Sequence, residues 1–111
     1  MSHKLNRIFK AIADPTRREI FNVLIVASTA LSITQIAEHF DITRQGVTKH
    51  IKMLKEAGLI ETNNRGRENY CTANPEPLKQ IRDWVAFYEK FWDDKLGKLG
   101  DFLEKKSTRN S

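Results

Sequence analysis

Two short helices separated by only four residues place the strongest constraint on the fold of this chain. Ser32, followed by Gln35 three residues later, forms a capping box, and the apolar residues after it recur at helical spacing. The break "FDIT" follows, and Thr43 is in position to cap a second helix that ends at Gly58, a residue type favoured just beyond a helix C-terminus. Two helices joined by so short a turn predict a helix-turn-helix.

Two further helices are predicted ahead of this unit. Apolar residues at the spacing of one helical face predict a helix over residues 4–12. Asp14-Pro15 is typical of an N-cap followed by proline at the first helical position, where the missing N–H is tolerated. The second helix is therefore expected from Pro15 to about Val26.

After the helix-turn-helix the sequence becomes strand-like. Residues 59–62 and 68–73 form two β-like runs around a centre that contains asparagine and glycine, which predicts a hairpin. Its tip carries Arg65 and Arg67 on either side of Gly66. The hairpin is poor in apolar residues, so we expect it at an edge with a solvent-exposed tip.

The last and longest predicted helix, residues 78 to about 103, carries an apolar stripe too long for one small domain to cover. At about 1.5 Å per residue the helix spans roughly 39 Å, about three times the radius of gyration of a 100-residue domain. A chain of 111 residues buries only a modest core. We therefore expect a partner subunit, with one domain over residues 1–104 and a frayed polar tail over residues 105–111.

The second helix of the helix-turn-helix has a basic and polar side. Val47, Ile51 and Leu54 fall within one narrow arc, and the opposite side carries a set of polar and basic residues. The members of that set are Arg44, Gln45, Thr48, Lys49 and Lys52. A helix fits the major groove of double-stranded DNA, where glutamine reads adenine, arginine reads guanine, and lysine and threonine reach phosphates.

Charge alone does not separate DNA binding from a solvated amphipathic helix. The chain has 19 basic and 14 acidic residues, and the excess lies mainly in residues 1–60, with nine basic against five acidic. The combination favours DNA, because arginines at a hairpin tip can also enter a narrow minor groove. Gly46 weakens its helix by up to about 1 kcal/mol relative to alanine, so we expect it to allow close approach of the preceding helix or of a phosphate.

These motifs resemble the ArsR-type winged-helix repressors over nearly the whole chain. The resemblance is carried by "IFKAIADPTRREIFNVL" at 8–24, "TQIAEHFDITRQGVTKHIKMLKEAGLIET" at 34–62, "GRENYCTANPEPL" at 66–78 and "WVAFYEKFWDDKL" at 84–96. It implies a mainly α fold with a small β-hairpin, a winged helix-turn-helix built from four helices, two strands and a fifth helix. It also implies a homodimeric transcriptional repressor that binds a pseudopalindromic operator, with its own promoter among the candidate targets.

The resemblance implies a role for each part of this architecture. The fourth helix is the recognition helix and the hairpin is the wing, while the first and last helices form the dimer interface. The expected DNA contacts are Thr43, Arg44, Gln45, Thr48, Lys49, Lys52, Arg65 and Arg67. The expected dimer contacts are Leu5, Ile8, Phe9, Trp84, Tyr88, Phe91, Trp92, Leu96 and Leu99.

The metal-binding patterns of this family are missing from the sequence. The third helix, "ITQIAEHFD", has no cysteine, and the last predicted helix has no histidine. The resemblance is closest to the metal-independent, SdpR-like autorepressor branch, whose last helix carries a similar aromatic run. We therefore predict no metal and no cofactor, although a metal- or small-molecule-responsive sensor of the same family stays an alternative.

Other function classes receive less support from the sequence. The sequence suggests neither a Ser-His-Asp or Cys-His arrangement nor a glycine-rich phosphate loop, so it gives little support to an enzyme. No apolar run is long enough for a transmembrane helix, and no signal peptide is recognised, so we expect a cytoplasmic protein. A winged-helix module that contacts protein is a further alternative, and an unidentified effector or partner protein is compatible with the resemblance.

Cys71 is the single cysteine, which excludes a disulfide within the chain. A thiol near the wing could act as a redox switch, but a lone cysteine in a strand is more often packed in a core.

Overall fold

The structure, a computed structural model, describes residues 3–92. The described elements are α1 (His3–Ile12), α2 (Pro15–Ala27), β1 (Leu31–Ser32), α3 (Ile33–Phe40), α4 (Arg44–Glu56), β2 (Ile60–Arg65) and β3 (Glu68–Ala73). A last helix, α5, runs from residue 78 through residue 92, where the description ends. The chain divides between Lys79 and Gln80 into two compact units, which are described separately. The predicted domain boundary at residue 104, and the predicted end of the last helix, lie outside the described residues.

The corner between α1 and α2 is held by side chains of the motif "ADPTRR". Asp14 caps α2, and its carboxylate accepts the backbone N–H of Arg17 at 3.0 Å, with Pro15 in the first turn. This hydrogen bond favours the ionised carboxylate and is the main cause of a lowered pKa of Asp14. The predicted N-cap is confirmed.

Two arginines of the same motif reach back to the end of α1. Their guanidinium groups donate to carbonyl oxygens that have no partner within the helix. The bonds are Arg17 Nε to the carbonyl of Ala11 at 2.7 Å, Arg17 Nη2 to that of Lys10 at 2.9 Å and Arg18 Nη1 to that of Ile12 at 2.6 Å. One short motif therefore begins the second helix and completes the end of the first.

The helix-turn-helix forms as predicted, with a side-chain cap on each helix. The capping box is complete, because Gln35 N–H donates to Ser32 Oγ and Ser32 N–H donates to Gln35 Oε1. Thr43 Oγ1 accepts the N–H of Gly46 at 3.0 Å and so caps α4. Between the helices Asp41 adopts the left-handed conformation, with φ 53°, which reverses the chain within the short turn.

The strands form one antiparallel sheet in the order β1-β3-β2. The two-residue strand β1 was not predicted, because a strand this short has no alternation to recognise. The hairpin was predicted, although β2 is longer than expected and ends at Arg65. Gly66 and Arg67 form its two-residue loop, and Gly66 has φ 63°, as at the first central position of a type II′ turn.

The core lies between the helices and the sheet of the first unit. Its largest fully buried side chains come from both. They are Ile8, Ile20, Ile36, Leu54, Leu59, Ile60, Val47 and Cys71. Since the core takes one face of α4 and one face of the hairpin, their other faces are left at the surface.

Two predicted dimer contacts on α1 belong to this core. Ile8 has no exposed surface and Leu5 is 8% exposed within one chain. Side chains covered this far within one chain serve its core and have little surface left to bury against a second chain, so a role of Leu5 and Ile8 as dimer contacts stays a prediction. Apolar spacing does not distinguish a core position from an interface position.

The described part of α5 displays aromatic side chains to solvent. Phe87 is 61% exposed, and Tyr88, Phe91 and Trp92 are also exposed. Phe87 packs edge to face on Tyr88, with ring centroids 5.1 Å apart. The predicted interface residues Leu96 and Leu99 lie outside the described residues.

Among the described residues, no helix combines the length and the apolar character needed to cross a membrane.

Candidate nucleic-acid interface

Helix α4 separates its apolar and its polar residues onto opposite faces. Val47 and Leu54 are fully buried and Ile51 nearly so. The residues of the other face are all exposed, and we call them the polar face of α4. They are Arg44, Gln45, Thr48, Lys49 and Lys52. The face predicted to meet DNA is therefore open to solvent along the helix.

Two threonines of the predicted contact set already make hydrogen bonds within the helix. Thr43 accepts the N–H of Gly46 in the N-cap, which leaves its own hydroxyl proton free to donate to a phosphate. Thr48 uses its proton, since its Oγ1 donates to the carbonyl of Arg44 at 2.8 Å. Thr43 can therefore contact a phosphate as it stands, whereas Thr48 would first have to rotate.

The wing is tied to α4 at one end and presents arginines at the other. Lys55 Nζ donates to Thr62 Oγ1 at 2.7 Å, which joins the last turn of α4 to β2. Arg65 is exposed and lies 5.3 Å from the ring centroid of Tyr70, within the range of a cation–π contact. Arg67 is exposed in the loop itself. The two predicted wing arginines thus flank the tip, and one of them has an aromatic support.

A carboxylate that no motif of the sequence points to lies beside the polar face of α4. Glu68, the first residue of β3, has Oε2 3.9 Å from Arg44 Nη2 and accepts a hydrogen bond from Thr34 Oγ1 at 3.1 Å. These three residues belong to β3, α4 and α3. They are far apart in sequence, and no spacing pattern could have brought them together.

Known proteins resemble this chain in sequence and in fold. Residues 12–63 match the family described as a helix-turn-helix domain. The transcriptional repressor SdpR of Bacillus subtilis (strain 168) is 33% identical over 92 residues, which cover 83% of this chain and 100% of SdpR. A crystal structure of an ArsR family transcriptional regulator is 33% identical, with a TM-score of 0.74 over 83% of this chain and 93% of that one. The chain belongs to the ArsR family.

Membership of the ArsR family makes this a DNA-binding transcriptional regulator of the repressor type with a winged helix-turn-helix fold. In this fold α3 and α4 are the helix-turn-helix, and β2 and β3 are the wing. A winged helix-turn-helix protein of Mycobacterium bovis, described as a homodimeric DNA-binding domain, has the same fold at 22% identity. Its TM-score is 0.61, over 78% of this chain and 79% of that one.

The histidines, cysteine and carboxylates of this ArsR-family chain are dispersed over the described part. Among residues 3–92, no group of three or more His, Cys, Asp or Glu side chains could hold a metal ion. Cys71 is fully buried in β3, and burial raises the pKa of its thiol from 9.0 to about 11. A buried thiol with this pKa is a poor nucleophile near neutral pH, which favours the packing interpretation of Cys71 over the redox switch.

Gly46 has a different neighbour from the one that we expected. A Cβ built at this position would lie 3.2 Å from Thr43 Oγ1, and no atom of α3 is among its contacts within 4 Å. The expected close approach of the preceding helix is therefore wrong. The glycine leaves room for the N-cap hydroxyl of its own helix, and the predicted approach of a phosphate stays a prediction.

Proposed function

We propose that this ArsR-family chain is a homodimeric repressor that binds a pseudopalindromic operator, with its own promoter as the first target to test. The observation that carries the proposal is the polar face of α4. Five exposed residues on one side of the helix offer the donors and charges that base edges and phosphates require, while the other face of the helix anchors it in the core.

In this proposal α4 lies in the major groove with its first turns nearest the bases. Gln45 donates to and accepts from adenine, and Arg44 donates to guanine. Lys49 and Lys52 stand farther along the helix and neutralise phosphates, and the Thr43 hydroxyl donates to another phosphate at the helix start. The exposure of all five side chains and the free hydroxyl proton of Thr43 support these roles.

The wing is proposed to reach the minor groove beside the same half-site. Arg67 stands in the two-residue loop and Arg65 directly before that loop, so both residues lie at one end of the hairpin. A narrow minor groove concentrates negative potential and attracts such groups. The contact between Arg65 and Tyr70 reduces the freedom that Arg65 would lose on binding.

The proposed dimer interface uses the last helix. Tyr88, Phe91 and Trp92 are large apolar side chains exposed on a single helix, and patches of this kind commonly mark an association surface. Trp84, Phe9, Leu96 and Leu99 remain proposed members. A two-fold dimer places its recognition helices so that half-sites lie about 34 to 36 Å apart, or a multiple of that distance.

We further propose that the protein acts in the cytoplasm, where it meets chromosomal DNA, and that it has no catalytic activity. Relatives that are transcriptional regulators support this assignment.

Selection of bound duplexes from a random pool, followed by a gel shift on the protein's own upstream region, tests the proposal. We expect an enriched sequence with two-fold symmetry, and sedimentation of the free protein as a dimer. Enrichment of no sequence over the starting pool would contradict specific DNA binding, and an enriched site bound by a monomer would contradict the dimer. A module that serves only to contact protein should enrich no duplex.

A further inference from the structure

Glu68 is an acidic side chain at the edge of a surface that is otherwise basic. It lies directly after the wing loop, and its carboxylate accepts the Thr34 hydroxyl with both oxygens, at 3.1 Å and 3.4 Å. Its side chain is 35% exposed, and that of Arg44 is 61% exposed. The carboxylate is thus held by α3 on one side and faces the first residue of α4 on the other.

Arg44 needs such a partner because of its position in the helix. It is the first residue of α4, and the first turn of this helix contains no acidic residue. The N-terminus of a helix carries partial positive charge, so a guanidinium there is repelled by its own helix. Glu68, 3.9 Å away, supplies the opposite charge.

The pair contributes little to the stability of the fold. Exposed ion pairs are worth little because water screens them and both side chains lose freedom. We therefore look for the role of the Arg44–Glu68 pair in how Arg44 contacts DNA. An arginine identifies guanine only when its donors are directed at the base edge, whereas any phosphate will accept a poorly directed guanidinium.

We infer that Glu68 is a positioning residue that determines specificity, because it directs the Arg44 guanidinium and disfavours its contact with phosphates of non-operator DNA. The inference rests on the proposed DNA-binding function. The carboxylate repels the phosphates of every duplex and so weakens binding to all of them. On an operator this loss is offset by the hydrogen bonds between Arg44 and a guanine, which a random duplex does not offer at that position. Glu68 therefore lowers binding to random duplex more than binding to the operator.

The first test compares Glu68→Gln with the native chain on the selected operator and on a scrambled duplex. Glutamine keeps an acceptor for the Thr34 hydroxyl and removes the charge. We expect scrambled duplex to bind more tightly. The ratio of the dissociation constant for scrambled duplex to that for the operator should therefore fall roughly fivefold or more, the range of one bidentate base contact. The matched control is Glu61→Gln, an exposed carboxylate on β2, which should leave the ratio unchanged.

A second pair of variants separates positioning from charge. Thr34→Val removes the hydroxyl that holds Glu68 but leaves the net charge as it is, and Thr34→Ser keeps the hydroxyl. Positioning predicts that Thr34→Val lowers the ratio and that Thr34→Ser restores the native value. A purely electrostatic role predicts that neither variant changes the ratio, which would overturn the inference.

The third arm asks whether Glu68 acts through Arg44. In an Arg44→Ala background, Glu68→Gln should no longer change the ratio, because the group that it positions is absent. A fall in the ratio that persists without Arg44 would refute the inference, as would a native ratio for Glu68→Gln alone. If the native chain itself fails to distinguish operator from scrambled duplex, the proposed function fails as well.

Discussion

The corner between α1 and α2 and the polar face of α4 are both rich in basic residues, but they use them in opposite ways. At the corner, Arg17 and Arg18 donate to backbone carbonyls of the preceding helix. On α4, Lys49 and Lys52 are exposed, and neither has an ion pair among the described residues. Basic side chains that satisfy the backbone stabilise the fold, whereas those that face only water are available to a polyanion.

The largest change in stability should come from Arg17→Ala. The variant loses two charge-assisted hydrogen bonds to the end of α1, so we expect the free energy of unfolding to fall by about 2 to 3 kcal/mol. DNA affinity, measured well below the melting temperature, should be unchanged. Chemical denaturation and a gel shift on the same sample test both parts, and a large loss of affinity in the folded variant would show that Arg17 also serves DNA binding.

Gln45→Ala should leave stability nearly unchanged and affect recognition. We expect a loss of about 1 to 3 kcal/mol in operator binding, confined to one base position in each half-site, because the amide is proposed to pair with adenine. Binding measured on operators substituted at each position tests this. Equal losses on operator and random duplex would instead assign Gln45 to the phosphate backbone.

Lys49→Ala should weaken binding to all duplexes by similar factors. Since one lysine releases about one counterion, the slope of log affinity against log salt should fall by about one unit per subunit. Titrations at several salt concentrations measure the slope. An unchanged slope would show that Lys49 makes no phosphate contact, and the polar face would then begin to resemble a solvated helix surface.

Gly46→Ala should change stability only slightly, because two opposing contributions nearly cancel. Alanine favours a helix by up to about 1 kcal/mol over glycine, but its Cβ would press on Thr43 Oγ1 at 3.2 Å and disturb the N-cap. We expect a net gain in stability well below that value. In a Thr43→Ala background the cap hydroxyl is gone, so the same change should give the larger gain, which denaturation of the native chain and the three variants would reveal. Additive effects would show that the cap does not restrict this position.

The smallest effect concerns the pH dependence of the corner. The hydrogen bond from Arg17 N–H lowers the pKa of Asp14 in the folded chain below its ordinary value of 3.8. The carboxylate therefore contributes stability above that pH, and the contribution is lost as the pH falls through the folded pKa. Asp14→Asn keeps a capping side chain without the ionisation. Its stability should thus vary less with pH in acid than that of the native chain, and parallel curves would contradict the role of this bond.

Much of the candidate site could be predicted because its determinants are local. The caps at Asp14, Ser32 and Thr43 each use a backbone N–H three residues ahead, so a short stretch of sequence contains both partners. The division of α4 into two faces follows from helical periodicity in the same way. Strand β1 and the burial of Leu5 and Ile8 could not be predicted, because both depend on what packs against them from elsewhere in the chain.

Local sequence was enough to predict the helices, the turn between α3 and α4, and the residues on the exposed face of α4. Which charged side chains have a partner within the chain, and which face solvent, depends on how the elements pack together. Glu68 meets Thr34 across 34 residues of chain, and Arg44 meets the same carboxylate from a different helix. Contacts of this kind depend on the path of the whole backbone, whereas spacing along the sequence specifies only neighbours within one or two helical turns.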